Sequence, residues 1–320
     1  MAQVGTDVQH AAEILARGGL VAIPTETVYG LAADALNPAA VLRIFEAKQR
    51  PHFDPLIVHV PDLESARELS SDMHPLAVRL AEAFWPGPLT LVVPKADRVP
   101  DLVTSGLDTV GLRVPAHPLT LELLRLCGRP LAAPSANPFG YVSPTAAAHV
   151  NAQLSERVDY ILDGGPTQVG IESTIVGFEP DGLVVYRLGG LEVGAIESVI
   201  GKVRLAINQS SDPKAPGQLL NHYAPRIPVH IFNGQIPDGW ADKGFGIIAL
   251  NTVPSGLFPK EKRLLSIDGD LNEAARNLFA ALRELGDMPL AGIVAVPLPE
   301  VGLGPAMNDR LRRAAGPRPQ

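Results

Sequence analysis

Two polar clusters stand at the edges of apolar, strand-like runs, and both carry groups suited to binding an anion. The first spans 24–59. It reads Pro24-Thr25-Glu26-Thr27-Val28-Tyr29-Gly30, then Lys48-Gln49-Arg50-Pro51, then Pro55-Leu56-Ile57-Val58-His59. The second is Pro134-Ser135-Ala136-Asn137-Pro138, again after a short apolar run. Lysine supplies a point charge and arginine a planar fork, a pairing that suits polyphosphate. If neighbouring strands share one rim, the two clusters face each other across a single phosphate-binding cleft. Each piece also has an ordinary explanation. Cations are favoured at helix C-termini, Ser, Asn and Pro build turns, and Arg113 and Arg187 at strand ends suit surface ion pairs. Ser173-Thr174 suits a strand edge, and His222-Tyr223-Ala224-Pro225 suits either packing or a flap over the cleft.

The elements that must position these groups follow from periodicity and punctuation. A helix is predicted over 8–16, stopping at Gly18-Gly19. Asn37-Pro38 forms an N-cap with proline at the first helical position, and that helix runs to about Lys48 with Val41, Ile44 and Phe45 on its buried stripe. Strands are predicted at 20–23, 56–60, 89–93, 110–114, 131–133, 158–162, 173–177 and 183–187. Helices begin near Asp62, cover 77–84, follow His117-Pro118 and start at Pro144-Thr145, while 99–108 is read as a loop. The irregular alternation predicts an α/β domain with a mixed sheet. The polar, proline-rich stretch 210–217 marks a boundary, giving a larger domain over 1–205, a linker over 206–226 and a second domain over 227–320. There, strands at 229–232, 246–250 and 292–296 and an amphipathic helix over 271–285 predict a small α/β layer with a parallel sheet.

Composition narrows the function classes. The 320 residues with 46% hydrophobic content can bury a substantial core, and a net charge of −7 provides no general field for nucleic acid. The single cysteine, Cys127, excludes an intrachain disulfide framework and fits a reducing compartment. No apolar run reaches the roughly 18 residues of a membrane span, and the N-terminal stretch lacks a signal-peptide layout, so a soluble, cytoplasmic protein with no membrane partner is expected. A Walker A loop, a dinucleotide fingerprint, zinc-ligand spacing and a nucleophile elbow are all missing from the sequence.

Taken in order, these segments, together with Trp85-Pro86-Gly87-Pro88-Leu89-Thr90, Glu172-Ser173-Thr174 and Gly304-Pro305-Ala306-Met307-Asn308-Asp309-Arg310, resemble the YrdC/Sua5 family in its long, two-domain Sua5 form. The resemblance covers nearly the whole chain. It implies a YrdC-like twisted, open mixed sheet with a concave basic cavity, followed by a smaller Rossmann-like α/β domain. It also implies an L-threonylcarbamoyladenylate synthase, a nucleotidyltransferase that joins L-threonine, bicarbonate and ATP, releases pyrophosphate and serves t6A modification of tRNA. The product would pass to a separate tRNA threonylcarbamoyltransferase complex.

Carried over position by position, the resemblance places Lys48, Arg50, Ser135 and Asn137 at the phosphates and the reacting centre. Asp54, Thr109, Ser143, Arg187, His222 and Tyr223 join Lys48, Arg50 and Ser135 around ATP. Thr25, His59, Arg113, Ala133 and Ser173 surround threonine. No protein metal site is implied, because Mg²⁺ would travel on the ATP phosphates. His59 is the nearest titratable candidate for a general base, though threonine binding is its expected role. Two departures stand out: Asp54 where many relatives carry Asn, and Pro216-Gly217-Gln218 where the linker usually reads Pro-Gly-Met. The alternatives are a carbamoyl-AMP enzyme, whose relatives carry cysteine-rich zinc fingers, and a non-catalytic RNA-binding module. A weak tRNA affinity is compatible with the synthase reading.

Overall fold

A computed structural model describes residues 1–51, 54–179, 182–207 and 222–316. Eleven strands form the larger sheet: β1 (Gln3–Gly5), β2 (Val21–Ile23), β3 (Gly30–Asp34), β4 (Ile57–His59), β5 (Leu89–Pro94), β6 (Thr109–Arg113), β7 (Leu131–Ala132), β8 (Tyr160–Leu162), β9 (Thr174–Glu179), β10 (Gly182–Arg187) and β11 (Arg204–Leu205). Their spatial order is β1-β8-β2-β3-β7-β4-β6-β5-β9-β10-β11. β4 runs parallel to β6, while β7 pairs antiparallel with both β3 and β4, so the sheet is mixed as predicted.

Alternation along the central strands decides where chemistry can sit. Val58, Val110, Leu112, Leu91 and Val93 face the main core, which the helices Pro38–Lys48 and Pro75–Phe84 cover. The opposite face carries a smaller apolar floor of Ile57, Val92, Ile175, Val184 and Tyr186. His59 and Arg113 share that face with Ile57, two residues apart along the pleat. Arg187 reaches it by a different route. Strict alternation would turn Arg187 to the core with Leu183 and Val185, but a register shift between Val185 and Arg187 re-aims it.

The second sheet is wholly parallel, in the order β12 (Val229–Ile231), β15 (Ile293–Ala295), β13 (Gly246–Ala249), β14 (Glu261–Leu264). The helices Leu271–Gly286 and Gly304–Ala314 cover it and press against the first domain. Their core is shared: Val28, Val142 and Ile171 of the first domain pack into the cluster containing Tyr223, Leu278, Phe279 and Met307. Gly170 lies at the contact, with a φ of 83° and its missing Cβ only 2.3 Å from Arg276 Cα, so no larger residue fits there.

Some elements differ from expectation. The loop 99–108 contains a short helix, Asp101–Thr104, which begins right after Pro100 and ends at Ser105 in a left-handed conformation. β3 is a strand although its Gly-Leu-Ala-Ala-Asp sequence has a helix-like composition; pairing on both sides outweighs propensity. The core of the expected linker, 208–221, including Gln218, lies outside the described residues. No helix among the described residues is long and apolar enough to cross a membrane.

Candidate active site

The helix Pro38–Lys48 ends in a sharp reversal. Gln49 takes a left-handed conformation, with φ at 53°, and Arg50 N–H donates back to Phe45 O at 2.9 Å. This turn sends Lys48 and Arg50 to different tasks. Lys48 Nζ is buried and donates to Ser135 O and Asn137 O, both at 2.5 Å, tying the two polar clusters together. Burial drives its pKa well below the ordinary lysine value; Arg50 adds to this and Asp54 opposes it.

Arg50 instead faces a solvent-open cavity that Thr25, His59, Arg113, Ser135, Ser173 and Arg187 also line. Its Nε and Nη2 hold Asp54 O and Pro55 O at 3.1 and 2.8 Å, and Nη2 lies 2.9 Å from Asp54 Oδ2. Asp54 is therefore the fixed counter-charge of Arg50, which gives that unexpected aspartate a structural place.

On the rim made by β4 and β6, His59 and Arg113 stand in register. Arg113 Nη2 donates to Glu26 Oε1 at 2.6 Å, and the other Glu26 oxygen accepts from Ala116 N at 3.0 Å. Neither Arg50 nor Arg113 uses Nη1 in a hydrogen bond to the described residues. Two arginines thus brace on carboxylates with one edge and keep donors for a ligand.

His59 is 3% exposed, and its Nδ1 has no hydrogen-bond partner among the described residues. Burial, followed by the charge of Arg113, lowers its pKa to about 3. It stays neutral near pH 7 and is a weak proton acceptor there, which argues against the general-base role. The same shift has a stability consequence. The folded pKa lies below the unfolded one, so only the unfolded chain gains a proton as pH falls from about 6.5 towards 3, and stability drops over that window. We predict that the parent loses roughly 2 kcal/mol more than His59→Gln between pH 7.5 and 5, on the linkage relation for a group with an unfolded pKa of about 6.5. Urea unfolding at both pH values measures this; parallel losses in the two proteins would contradict it.

Across the cavity, Ser173 Oγ shares a hydrogen bond with Thr90 Oγ1 at 2.8 Å and accepts from Arg187 Nη2 at 3.1 Å. The neighbouring Glu172 accepts from Ser143 Oγ at 2.5 Å and from Arg310 Nε and Nη2 at 3.2 and 3.1 Å. Burial alone disfavours the charge on Glu172, but Arg310 and then Arg187 outweigh it and hold its pKa below the usual range. The roof is His222, edge-on to Phe139 and Tyr223, and Tyr223 stacks on Phe279 at 5.4 Å between ring centres. Burial and then the charges of Lys48 and Arg50 keep the His222 pKa well below the ordinary value.

The structure gathers most of the predicted residues. Of the nucleotide set, Arg50, Ser135, Arg187, His222 and Tyr223 line the cavity; of the threonine set, Thr25, His59, Arg113, Ala133 and Ser173 all do. Lys48, Asp54, Asn137 and Ser143 lie directly behind the wall. Asn137 is fully buried, and its amide holds Pro138 O and Tyr141 O at 2.8 and 3.0 Å. Thr109 stands apart, at the far end of β6, where it lines a neighbouring cavity with Val92, Phe178 and Tyr186. Glu26, Thr90, Glu172 and Arg310 received no individual role from the sequence. Their signal was a polar or charged residue inside a recognisable motif, with nothing to show what it faced.

Fold and site together define an α/β protein with a cationic cleft, one wall of which is braced by a second domain. The family profile described as telomere recombination matches residues 13–189, and the one described as threonylcarbamoyl-AMP synthase, C-terminal domain, matches 191–316. The threonylcarbamoyl-AMP synthase of Pyrococcus abyssi is 42% identical over 323 residues, covering 97% of this chain and 94% of that protein. That of Bacillus subtilis is 39% identical, covering 97% and 93%. The solved structure of P. abyssi Sua5 complexed with L-threonine superposes with a TM-score of 0.90 at 40% identity, covering 98% of this chain and 97% of that one. This chain belongs to the Sua5/YciO/YrdC family and carries the Sua5 C-terminal domain.

Proposed function

We propose that this chain is an L-threonylcarbamoyladenylate synthase, a nucleotidyltransferase that makes threonylcarbamoyl-AMP and pyrophosphate from L-threonine, bicarbonate and ATP. The observation that carries the reading is convergence. All five residues of the threonine set and five of the nucleotide set line one cavity, and its Arg50 and Arg113 use only Nε and Nη2 in hydrogen bonds to the described residues. The similarity to a Sua5 structure complexed with L-threonine supports it.

On this reading the threonine amine and bicarbonate give an N-carboxy species with loss of water. A carboxylate oxygen then attacks the α-phosphorus of ATP; the new P–O bond forms as the bond to the β-phosphate oxygen breaks and pyrophosphate leaves. Charge builds on phosphate oxygens, so fixed cationic and hydroxyl donors supply most of the acceleration. Arg50 and Ser135 meet the phosphates. Lys48 and Asn137 fix the loop that presents Ser135. Mg²⁺ enters as part of the MgATP substrate, held by phosphate oxygens; the buried carboxylates nearest the cavity are engaged by arginines. Thr109 lies on the same face of β6 as Arg113, which fits the nucleoside end of ATP running along the apolar floor towards the neighbouring cavity.

Residues 1–205 form the catalytic domain in this proposal, 206–226 the linker and lid, and 227–320 the second domain. The product passes in the cytoplasm to a tRNA threonylcarbamoyltransferase complex. The test is to incubate the protein with MgATP, bicarbonate and either L-threonine or L-alanine, and to measure pyrophosphate and the acyl-adenylate. Threonine is expected to drive turnover well above alanine. Equal rates would sink the proposal.

A further inference from the structure

We infer that Arg310, on the second domain, is a positioning residue of the site: by pairing with Glu172 it fixes the wall Ser143–Glu172–Ser173 and cancels a negative charge in a cavity that takes anions. This deepens the synthase reading and rests on its nucleotide-binding part.

The geometry spans 138 residues of sequence. Arg310 is 0% exposed, and its Nε and Nη2 grip one oxygen of Glu172 while Nη1 donates to Leu188 O. Leu188 directly follows the re-aimed Arg187, so one guanidinium fixes two neighbouring pieces of the wall. The guanidinium carbon lies 5.5 Å from the centre of the Tyr223 ring, which is part of the roof. The second domain grips the other end of the wall too: Arg283 Nε donates to Ser143 O at 3.3 Å, and its Nη2 donates to Val142 O. A third contact, Arg276 Nε to Gln168 O at 3.0 Å, secures the segment leading to Glu172.

Glu172 lines the cavity, and its surroundings are otherwise balanced. Ser143 bonds one oxygen, Arg187 and Tyr223 stand near it on the first-domain and linker sides, and the helix Gly304–Ala314 brings Asp309 and Arg313 beside Arg310. Asp309 is itself bound by Arg310 and Arg313, so Arg310 is the direct partner of Glu172. Without it, a buried carboxylate would face incoming phosphate, and like charges at close quarters inside a site are strongly repulsive. An unpaired buried carboxyl avoids that by keeping its proton until the pH rises. Domain docking and nucleotide affinity are then linked, each strengthening the other by the same factor.

The discriminating measurement is the KM for ATP of each variant divided by that of the parent, across pH. For R310M the ratio is expected near one at about pH 6 and tenfold or more by about pH 8.5, a change of roughly 1.4 kcal/mol, with kcat less affected. The double variant E172Q/R310M should show a flat, low ratio, and Arg310→Lys should lie between R310M and the parent. A flat ratio in R310M, or a rise that persists in the double variant, overturns the proposal. If R310M does not fold, the double variant decides: folded with a KM within about threefold of the parent supports it, and unfolded overturns it. A parent that binds ATP calorimetrically but makes no threonine-dependent product defeats the synthase reading alone, and the same comparison is then made on nucleotide Kd.

Discussion

Arg50→Ala is expected to lower kcat/KM for ATP by about 10²- to 10³-fold, the usual cost of deleting one preorganised donor aimed at developing charge. The reason is the division of labour within its guanidinium. Nε and Nη2 are anchored by Asp54 and Pro55, which fixes the orientation before any ligand arrives, and Nη1 makes no hydrogen bond to the described residues. A flexible cation would have to be ordered at the moment of binding; this one is already held. Arg50→Lys retains the charge but loses the fork, so it should recover only part of the rate. Because the alanine variant leaves Asp54 buried without its arginine, the comparison is best made in an Asp54→Asn background, with circular dichroism to check folding. Near-parental turnover of Arg50→Ala in either background would return the arginine to an ordinary helix-end role.

The largest stability effect is expected at Arg113→Ala. Arg113 and Glu26 are 4% and 5% exposed and lie 2.6 Å apart. Removing one partner of such a pair leaves an uncompensated buried charge, a loss of about 3–5 kcal/mol. Replacing both, as Arg113→Met with Glu26→Gln, should restore much of it, since the penalty belongs to the orphaned carboxylate rather than to a strong net attraction. Urea midpoints of the parent, the single variant and the double variant test this. A single variant within about 1 kcal/mol of the parent would mean that water or local movement relieves Glu26.

The sequence made much of this architecture legible because its signals were local. Asn37-Pro38 marked a helix start that the structure places at that residue, with the Asn37 side chain accepting from Ala39 and Ala40 N–H. His117-Pro118 likewise opens the helix Pro118–Cys127, which the structure ends at Gly128 in a left-handed conformation. β14, by contrast, reads Glu-Lys-Arg-Leu and sits at a sheet edge, where alternation is not enforced by two buried faces. Arg187 shows the limit for a site residue. Its type and motif were readable, but its direction depends on a bulge set by pairing with β9. Lys48 shows a different limit: a basic residue beside Arg50 reads as a second ligand contact, whereas its ammonium is spent on two backbone carbonyls. Arg310 and Glu172 could be read as parts of motifs, yet nothing short-range pairs residues so far apart. Spacing identifies which groups take part; long-range packing decides which touch the ligand and which hold the others.

The wall around Glu172 also carries a consequence for how the protein is made. A chain leaves the ribosome from its N-terminus, and domains fold largely as they emerge. The strands that carry His59 and Arg113, and the one that follows Ser173, are therefore available early, and their apolar neighbours can collapse without the rest. Glu172, however, must wait for Arg310, 138 residues later, and Val142-Ser143 must wait for Arg283. The nascent first domain thus has a cleft whose Glu172 still lacks Arg310 and whose apolar residues Val28, Val142 and Ile171 still lack their partners. The cleft is completed only once the second domain has been synthesised and has docked.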